Sequence, residues 1–513
     1  MKIDDRASKL SEPRAVVSLI IFAGAQLLDV LNLTGLIFST QSIAEKYDIH
    51  MEEASWVMSA YSLAFGSFIL LGGRLGDFLG LKRVFMIGMS TMSLCSLIIA
   101  LVQNAYVVFA FRAVQGMGAA FTMPTSIGLV AHTFKGHSQA MALSLIGSAA
   151  AMGGIVGVLV GGPFTKTPIG YRGLMFLSFG LSTAFTISIY FVVRETAVNV
   201  EKAKRLDFGG TFIIVAGVIL VVFGFTSASE GWNRARVIAP IIVGAALIAF
   251  FGVYEYCITE RLFGVSPLIP KYVWYFPNLL SVFLITPFNY GCLYVTMYTA
   301  SNQLIALRQN TPLEAAIKCL PFGIVFALSC VIGGVLYSRI PLKVILTIAP
   351  VCDIIGASLN SQVGADEPYW QFVFPAQIFT AIGTGIFMAT FMNAVVSSAP
   401  LDHQGIVSGI CSTGGQLGTA ITVAISTSEV GDGTKRENYQ IAFYTLIGYA
   451  TVAVIVTLFF VNPVSRLETD EDDTESNSST DVEYCEQGLY TTSTKSSSEL
   501  KEKSYQHHVQ SVI

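Results

Sequence analysis

Long apolar runs separated by short polar intervals set the rhythm of this chain from about residue 15 to about residue 461. Each run is roughly 18 to 25 residues long, which is what an α-helix rising ~1.5 Å per residue needs to cross about 30 Å of hydrocarbon. The pattern predicts fourteen helices, at about 15–38, 55–73, 84–102, 106–130, 138–162, 172–193, 208–226, 237–256, 275–300, 313–336, 342–361, 370–394, 404–427 and 438–461. The seventh and eighth are the weakest as full crossings. The polar opening "MKIDDRASKLSEPR" and the length of the first apolar run predict a true first span rather than a cleaved signal peptide. The expected fold class is therefore an all-α polytopic membrane protein.

Composition narrows this further. The chain is 513 residues long, 53% hydrophobic and 12% charged, about half the charged share of a soluble protein. That excludes a string of soluble domains. Acidic residues concentrate after Glu468 ("ETDEDDTESNSSTDVEYCEQG"), where too little apolar surface is available to offset ordering entropy. Residues 466–513 are expected to be a disordered cytoplasmic tail, and residues 1–14 a cytoplasmic N-terminal segment. With the N-terminus inside, seventeen Lys and Arg residues fall in inner segments and eight in outer ones, so both termini are expected in the cytoplasm. The plasma membrane is the expected location, with a vacuolar or other internal membrane as the alternative. None of the eight cysteines or six histidines shows a disulfide or metal-ligand spacing, and no P-loop is present. We therefore expect no enzyme activity, cofactor or metal, and no nucleic-acid partner. The expected partners are the lipid bilayer, a small solute and protons, with the chain itself a monomer.

One polar interval stands out. "GGRLGDFLGLKRVF" (Gly72 to Phe85) gathers Arg74, Asp77, Lys82 and Arg83 between two apolar runs. It has an echo in "GGVLYSRIPLKVI", beginning at Gly333, where Gly-Gly-x-Leu and a following Leu-Lys align without a gap. Both are expected in the cytoplasmic turn between the second and third spans of a repeated unit. Such repeats mark transporters built from related halves with the site between them. The halves would be residues 15–193 and 261–465, with 194–260 a linker carrying two extra helices.

On these residues the chain resembles the major facilitator superfamily, and more closely the fungal fourteen-span drug:proton antiporter family. Gly73, Leu75, Gly76, Asp77, Gly80, Lys82 and Arg83 match its loop signature. "FRAVQGMGAA" matches a span-four signature at Arg112, Gln115, Gly116 and Gly118. Gly153, Gly157, Gly161 and Gly162 match the glycine-rich antiporter motif of span five, with Val158 in place of its proline. "GIVSGICSTGGQLGTAI" (Gly405 to Ile421) is similar to a late glycine run of the family. "AQLLDVLNL" in span one is similar to a branch holding boron exporters and ammonium facilitators. The resemblance implies a cytoplasmic gate at Gly73, Asp77, Gly80, Lys82 and Arg83, with Asp77 accepting hydrogen bonds at a helix N-terminus or pairing with an arginine. It also links Arg112 to proton transfer.

The spans carry further chemistry. Asp29 and Arg112 are expected at one depth, about 9 Å inside the outer boundary. Opposite charges so placed would pair, either as a structural ion pair or as a proton-coupling site, with Asn32 and Gln115 as polar neighbours. Asp353, mid-span, would face a water-filled cavity or pair locally. Gly153, Gly157 and Gly161 recur every four residues and share a face, for static packing or for sliding. Asn289, Gln303, Gln377, Asn393 and Gln416, with Tyr290, Tyr294, Tyr298 and Phe391, are candidates for a cavity lining. The leading expectation is a secondary active transporter that exports a small toxic or xenobiotic solute by alternating access and proton coupling. The alternatives are a facilitator or exporter of a small inorganic solute such as ammonium or borate, and a transporter-like nutrient sensor.

Overall fold

A computed structural model of the chain describes residues 12–36, 39–165, 167–193, 207–257, 267–310, 312–364, 368–400, 403–431 and 435–461. The expected tail and most of the expected N-terminal segment lie outside these residues, as do 194–206 and 258–260 of the expected linker and 261–266 of the expected second half.

Among the described residues, fourteen long helices follow in order. They are α1 (Glu12–Thr34), α2 (Trp56–Leu79), α3 (Leu81–Leu101), α4 (Ala105–Thr133), α5 (Gly136–Thr165), α6 (Tyr171–Val192), α7 (Phe208–Thr226), α8 (Ala235–Cys257), α9 (Leu279–Asn302), α10 (Pro312–Tyr337), α11 (Leu342–Ser361), α12 (Phe374–Ser397), α13 (Gln404–Val430) and α14 (Arg436–Phe460). Twelve are long and apolar enough to cross a membrane. The other two, α4 and α13, are long enough but dilute their apolar residues with Gly, Ser, Thr and Gln. Two short helices, Ser39–Tyr47 and Met51–Ala54, precede α2, where no element was expected.

Local chemistry sets several helix ends. The Asn104 side chain accepts from the amides of Tyr106 and Val107 and starts α4. Asp207 does the same for α7 through the Gly210 amide, at 2.9 Å. The polar stretch after Gly72 is not the open turn expected of it. Helix α2 continues through Asp77 to Leu79, and the only break before α3 is Gly80, at φ 98°. Residues with a Cβ rarely take that conformation, so glycine permits an abrupt change of direction.

The helices pair in a pattern that repeats eight elements later. In the first set α2 packs on α4, α3 on α4, α1 on α5, and α6 on both α3 and α1. In the second set α10 packs on α12, α11 on α12, α9 on α13, and α14 on both α11 and α9. Contacts between the sets obey the same relation, with α2 on α13 matched by α10 on α5. The molecule is thus two six-helix halves with the α7–α8 hairpin added. That hairpin packs on α2 and α13, where Trp56 stacks on Phe223 at 5.9 Å and Trp232 donates to Ser428 at 2.6 Å. The segment leading from the hairpin towards α9 is pinned as well. Arg74 donates to the Pro267 carbonyl at 3.0 Å, and the Leu268 amide donates to Glu255 at 2.7 Å.

Candidate coupling and gating sites

The first half encloses a polar network in its interior. Arg112 on α4 is 0% exposed, and its long side chain leaves its own helix for α1 and α2. Nε donates to the Val57 carbonyl at 2.7 Å, Nη2 to the Asn32 carbonyl at 3.1 Å and Nη1 to Gln115 Oε1 at 2.8 Å. The guanidinium lies 4.3 Å from the centre of the Tyr61 ring. Gln115 passes the chain on to Ser96 at 2.7 Å, Ser96 donates to Ser178 at 3.1 Å, and Asn32 also donates to Ser178 at 2.8 Å. Five helices, α1, α2, α3, α4 and α6, are thereby cross-linked through one arginine and its neighbours.

Asp29 is close by but does not form the expected ion pair. Its Oδ2 accepts from Thr122 at 2.9 Å, and its Oδ1 is buried without a hydrogen-bond partner. Thr122 lies ten residues beyond Arg112, about 15 Å along the α4 axis. The guanidinium is occupied by main-chain carbonyls, Gln115 and an aromatic face, which offset its removal from water without a carboxylate. Tyr61 is the link between the two charged groups. Its ring faces Arg112, and its hydroxyl donates to the Asp29 main-chain carbonyl at 3.3 Å.

Of the expected gate residues, Gly73 and Asp77 lie at a junction between the halves, and Lys82 bonds within the first half. Asp77, in the last turn of α2, accepts from the amides of Gly405 (3.2 Å) and Ile406 (2.8 Å) at the start of α13. A carboxylate there answers the unpaired amides and positive end of the helix dipole. Gly73, one turn earlier, lies against the Gly405 backbone so closely that a Cβ would collide with its carbonyl. Lys82 is buried, donates to the Tyr190 carbonyl at 3.0 Å and so ties α3 to the C-terminal end of α6. Arg83 is exposed.

The Gly-Gly echo does equivalent work in the second half. Gly72 packs within its own half on α4, and Gly73 packs across on α13. Gly333 packs within its own half on α12, and Gly334 packs across on Ser144 of α5. A second seam results, to which Ser148 adds a bond to the Ala327 carbonyl at 2.6 Å and Asn393 one to Ala140 at 3.4 Å. Where the first seam has Asp77, the second has Ser338, whose hydroxyl donates to Val335 within its own turn at 2.7 Å.

Gly153, Gly157 and Gly161 receive α1 along one face of α5. Added Cβ atoms would meet the backbones of Leu27, Leu31 and Gly35. Gly162, next to this face, is partly buried. Asp353 on α11 is apart from all of these residues, enclosed in the second half. Of the expected lining residues, Asn289, Gln377, Asn393, Tyr290 and Phe391 are buried, and Tyr290 and Phe391 meet edge to face at 5.6 Å. Gln303 is also buried and donates to the Val363 carbonyl, whereas Tyr294, Tyr298 and Gln416 are half-buried. Tyr61, Ser96, Thr122 and Ser178 carry the first-half network yet have no sequence signature. Only their place in apolar runs beside the marked positions would have drawn attention to them.

Two like helical halves, sealed together along two seams and enclosing ionisable side chains, define a polytopic membrane transporter. The sequence model of the Major Facilitator Superfamily matches residues 22–423, and the chain belongs to that superfamily of transporters. It is similar to the puromycin resistance protein pur8 of Streptomyces alboniger, 25% identical over 427 residues, covering 82% of this chain and 83% of the relative. It is also similar to the low affinity ammonium transporter of Saccharomyces cerevisiae, 28% identical over 429 residues, covering 79% and 80%. Among solved structures, the human organic anion transporter MFSD10 (TETRAN) superposes with a TM-score of 0.64 at 15% identity, over 87% of this chain and all of that one. The superfamily and fold class expected from the motifs are borne out.

Proposed function

We propose that this transporter exports a small toxic or xenobiotic solute in exchange for protons, with Asp29 as the proton-carrying group. The carrying observation is the Asp29 carboxyl itself, buried with one oxygen bonded to Thr122 and the other unpartnered. A charge left so costs several kcal/mol in a membrane interior, whereas a group that gains and loses a proton as access alternates relieves that cost. Arg112 and Gln115 hold α1, α2 and α4 in register around it, and Asn32 adds a polar contact. Gly73, Asp77, Gly80, Lys82 and Arg83 form the gate that closes one end, and the α5 glycines let α1 move with α5. Drug resistance in the name of the similar Streptomyces protein supports an organic solute.

In this reading all fourteen helices cross the membrane, residues 15–193 and 261–465 are the moving halves, and 194–260 joins them. Both termini and the Asp77 end face the cytoplasm of a plasma-membrane monomer, so the seams close the inner side. Reconstituted vesicles with an imposed pH gradient test the proposal, with puromycin as the first solute. Efflux driven by the gradient should vanish in Asp29→Asn, and undiminished efflux would remove Asp29 from the mechanism. The similarity to an ammonium transporter supports a second reading, facilitated passage of a small inorganic solute. Ammonium flux that persists after the pH gradient is collapsed would favour it.

A further inference from the structure

The second half encloses a carboxyl group of its own. Asp353, midway along α11, is 0% exposed, and neither of its oxygens has a hydrogen-bond partner. Gly383 of α12 faces it so closely that a Cβ would come within 2.6 Å of Oδ1. On α9 the buried thiol of Cys292 lies 4.0 Å from the Leu446 carbonyl of α14, in one buried cluster with Ala357, which is one turn along α11 from Asp353. One turn along α14, Tyr449 has an unpartnered hydroxyl and packs against the cluster that holds Cys292, one turn after Thr445. Glu429 sits in the last turn of α13, accepts from Thr445 at 2.6 Å, and leaves its second oxygen unpartnered. Cys352, on the same helix as Asp353, is the other titratable neighbour. The surroundings are apolar, with Ala357, Phe443, Leu446 and Ala450 in a cluster of their own, separate from the main core.

Unsatisfied polar atoms in such a place are costly, and a row of them on the three adjoining helices α11, α13 and α14 calls for a use. We propose that Asp353 is a second proton-binding site of this transporter, loaded from the end opposite Asp77 by way of Glu429, Tyr449 and Cys292. Asp77 caps the first turn of α13 and Glu429 lies in its last, 23 residues after Ile406, or about 35 Å away. A proton taken from water at Glu429 moves inward as each hydroxyl or thiol gives its proton onward and receives another. Asp353 gains one proton, Glu429 returns to carboxylate, and no electrons are transferred. The use of this site in transport rests on the proton-coupled reading above; its existence does not.

The test is infrared difference spectroscopy of the purified full chain in lipid nanodiscs, following the carbonyl band of protonated carboxyl groups and its hydrogen–deuterium exchange. A band should be present that disappears in Asp353→Asn and survives in Asp29→Asn. In Tyr449→Phe or Cys292→Ala that band should remain but exchange about tenfold more slowly or worse. Asp353→Glu, which shifts the band rather than removing it, serves if the asparagine variant does not assemble. A spectrum unchanged by either Asp353 substitution overturns the site, and wild-type exchange in both Tyr449→Phe and Cys292→Ala overturns the route. If Asp29→Asn keeps gradient-driven efflux while the Asp353 band behaves as stated, the role of Asp29 fails and the second site stands.

Discussion

Replacing Asp77 by asparagine should loosen one end of the bundle by a calculable amount. The carboxylate accepts from two amides of α13, at 3.2 and 2.8 Å, and faces that helix's positive end. A hydrogen bond to a charged group contributes about 1.5–3 kcal/mol, and a helix terminus about 0.3–1 kcal/mol near the surface. Asparagine keeps one carbonyl oxygen and loses the charge, and Asp77 is half-buried, so solvent takes part of the effect. A loss of about 1.4–2.8 kcal/mol remains, and at 1.36 kcal/mol per decade the open population rises about 10- to 100-fold. Cys330, at the second seam, reports this because the two seams part together when the halves swing open. It is 0% exposed on α10, facing Gly147 of α5, where a Cβ would lie 3.7 Å from its sulfur. Maleimide labelling followed by mass spectrometry should therefore speed up about 10- to 100-fold at Cys330. Cys95, buried within the first half, should keep its rate. An unchanged Cys330 rate would refute the reasoning, and equal acceleration at both cysteines would show general loosening instead of an opened seam.

Two further substitutions separate packing from charge. Arg112→Lys keeps the charge but cannot serve the Val57 and Asn32 carbonyls, Gln115 and the Tyr61 face together. It should cost about 3 kcal/mol or more in chemical unfolding in mixed micelles, and a loss below about 1 kcal/mol would contradict the network described. Gly161→Ala forces a methyl into the Gly35 carbonyl and should cost about 1–3 kcal/mol. Gly180→Ala meets nothing within 4 Å and should be neutral or stabilising by up to about 1 kcal/mol in the same assay.

Helix number and order were legible because hydrocarbon thickness imposes a run length on any chain that crosses it. The rotation of each helix about its axis was not. Depth arithmetic set Asp29 and Arg112 level, yet Arg112 turns toward Val57 while Asp29 meets Thr122. Nothing in a linear pattern fixes that angle, because α4 is glycine- and threonine-rich and has no sharp apolar face. Asp77 and its glycines stood out as a motif, but the amides that receive it lie 328 and 329 positions away. The charges after Gly72 resemble a turn in the sequence because charge and glycine between two apolar runs usually mark one. In the fold Arg74 and Asp77 bond to partners from distant helices or linkers, so the helix continues through them.

The two helices whose apolar residues are most diluted by small polar ones, α4 and α13, bear on how the chain is made. An arginine near mid-bilayer alone costs about 2.5–3.5 kcal/mol on insertion scales, and α4 carries Arg112 among many small polar residues. The polar groups of both helices are taken up by neighbouring helices. The order of synthesis provides them. The main partners of α4 within its half are α2 and α3, and those of α13 are α9 and α2, all of which emerge from the ribosome first. Each of these two helices is thus translated into a membrane that already holds partners for its polar groups.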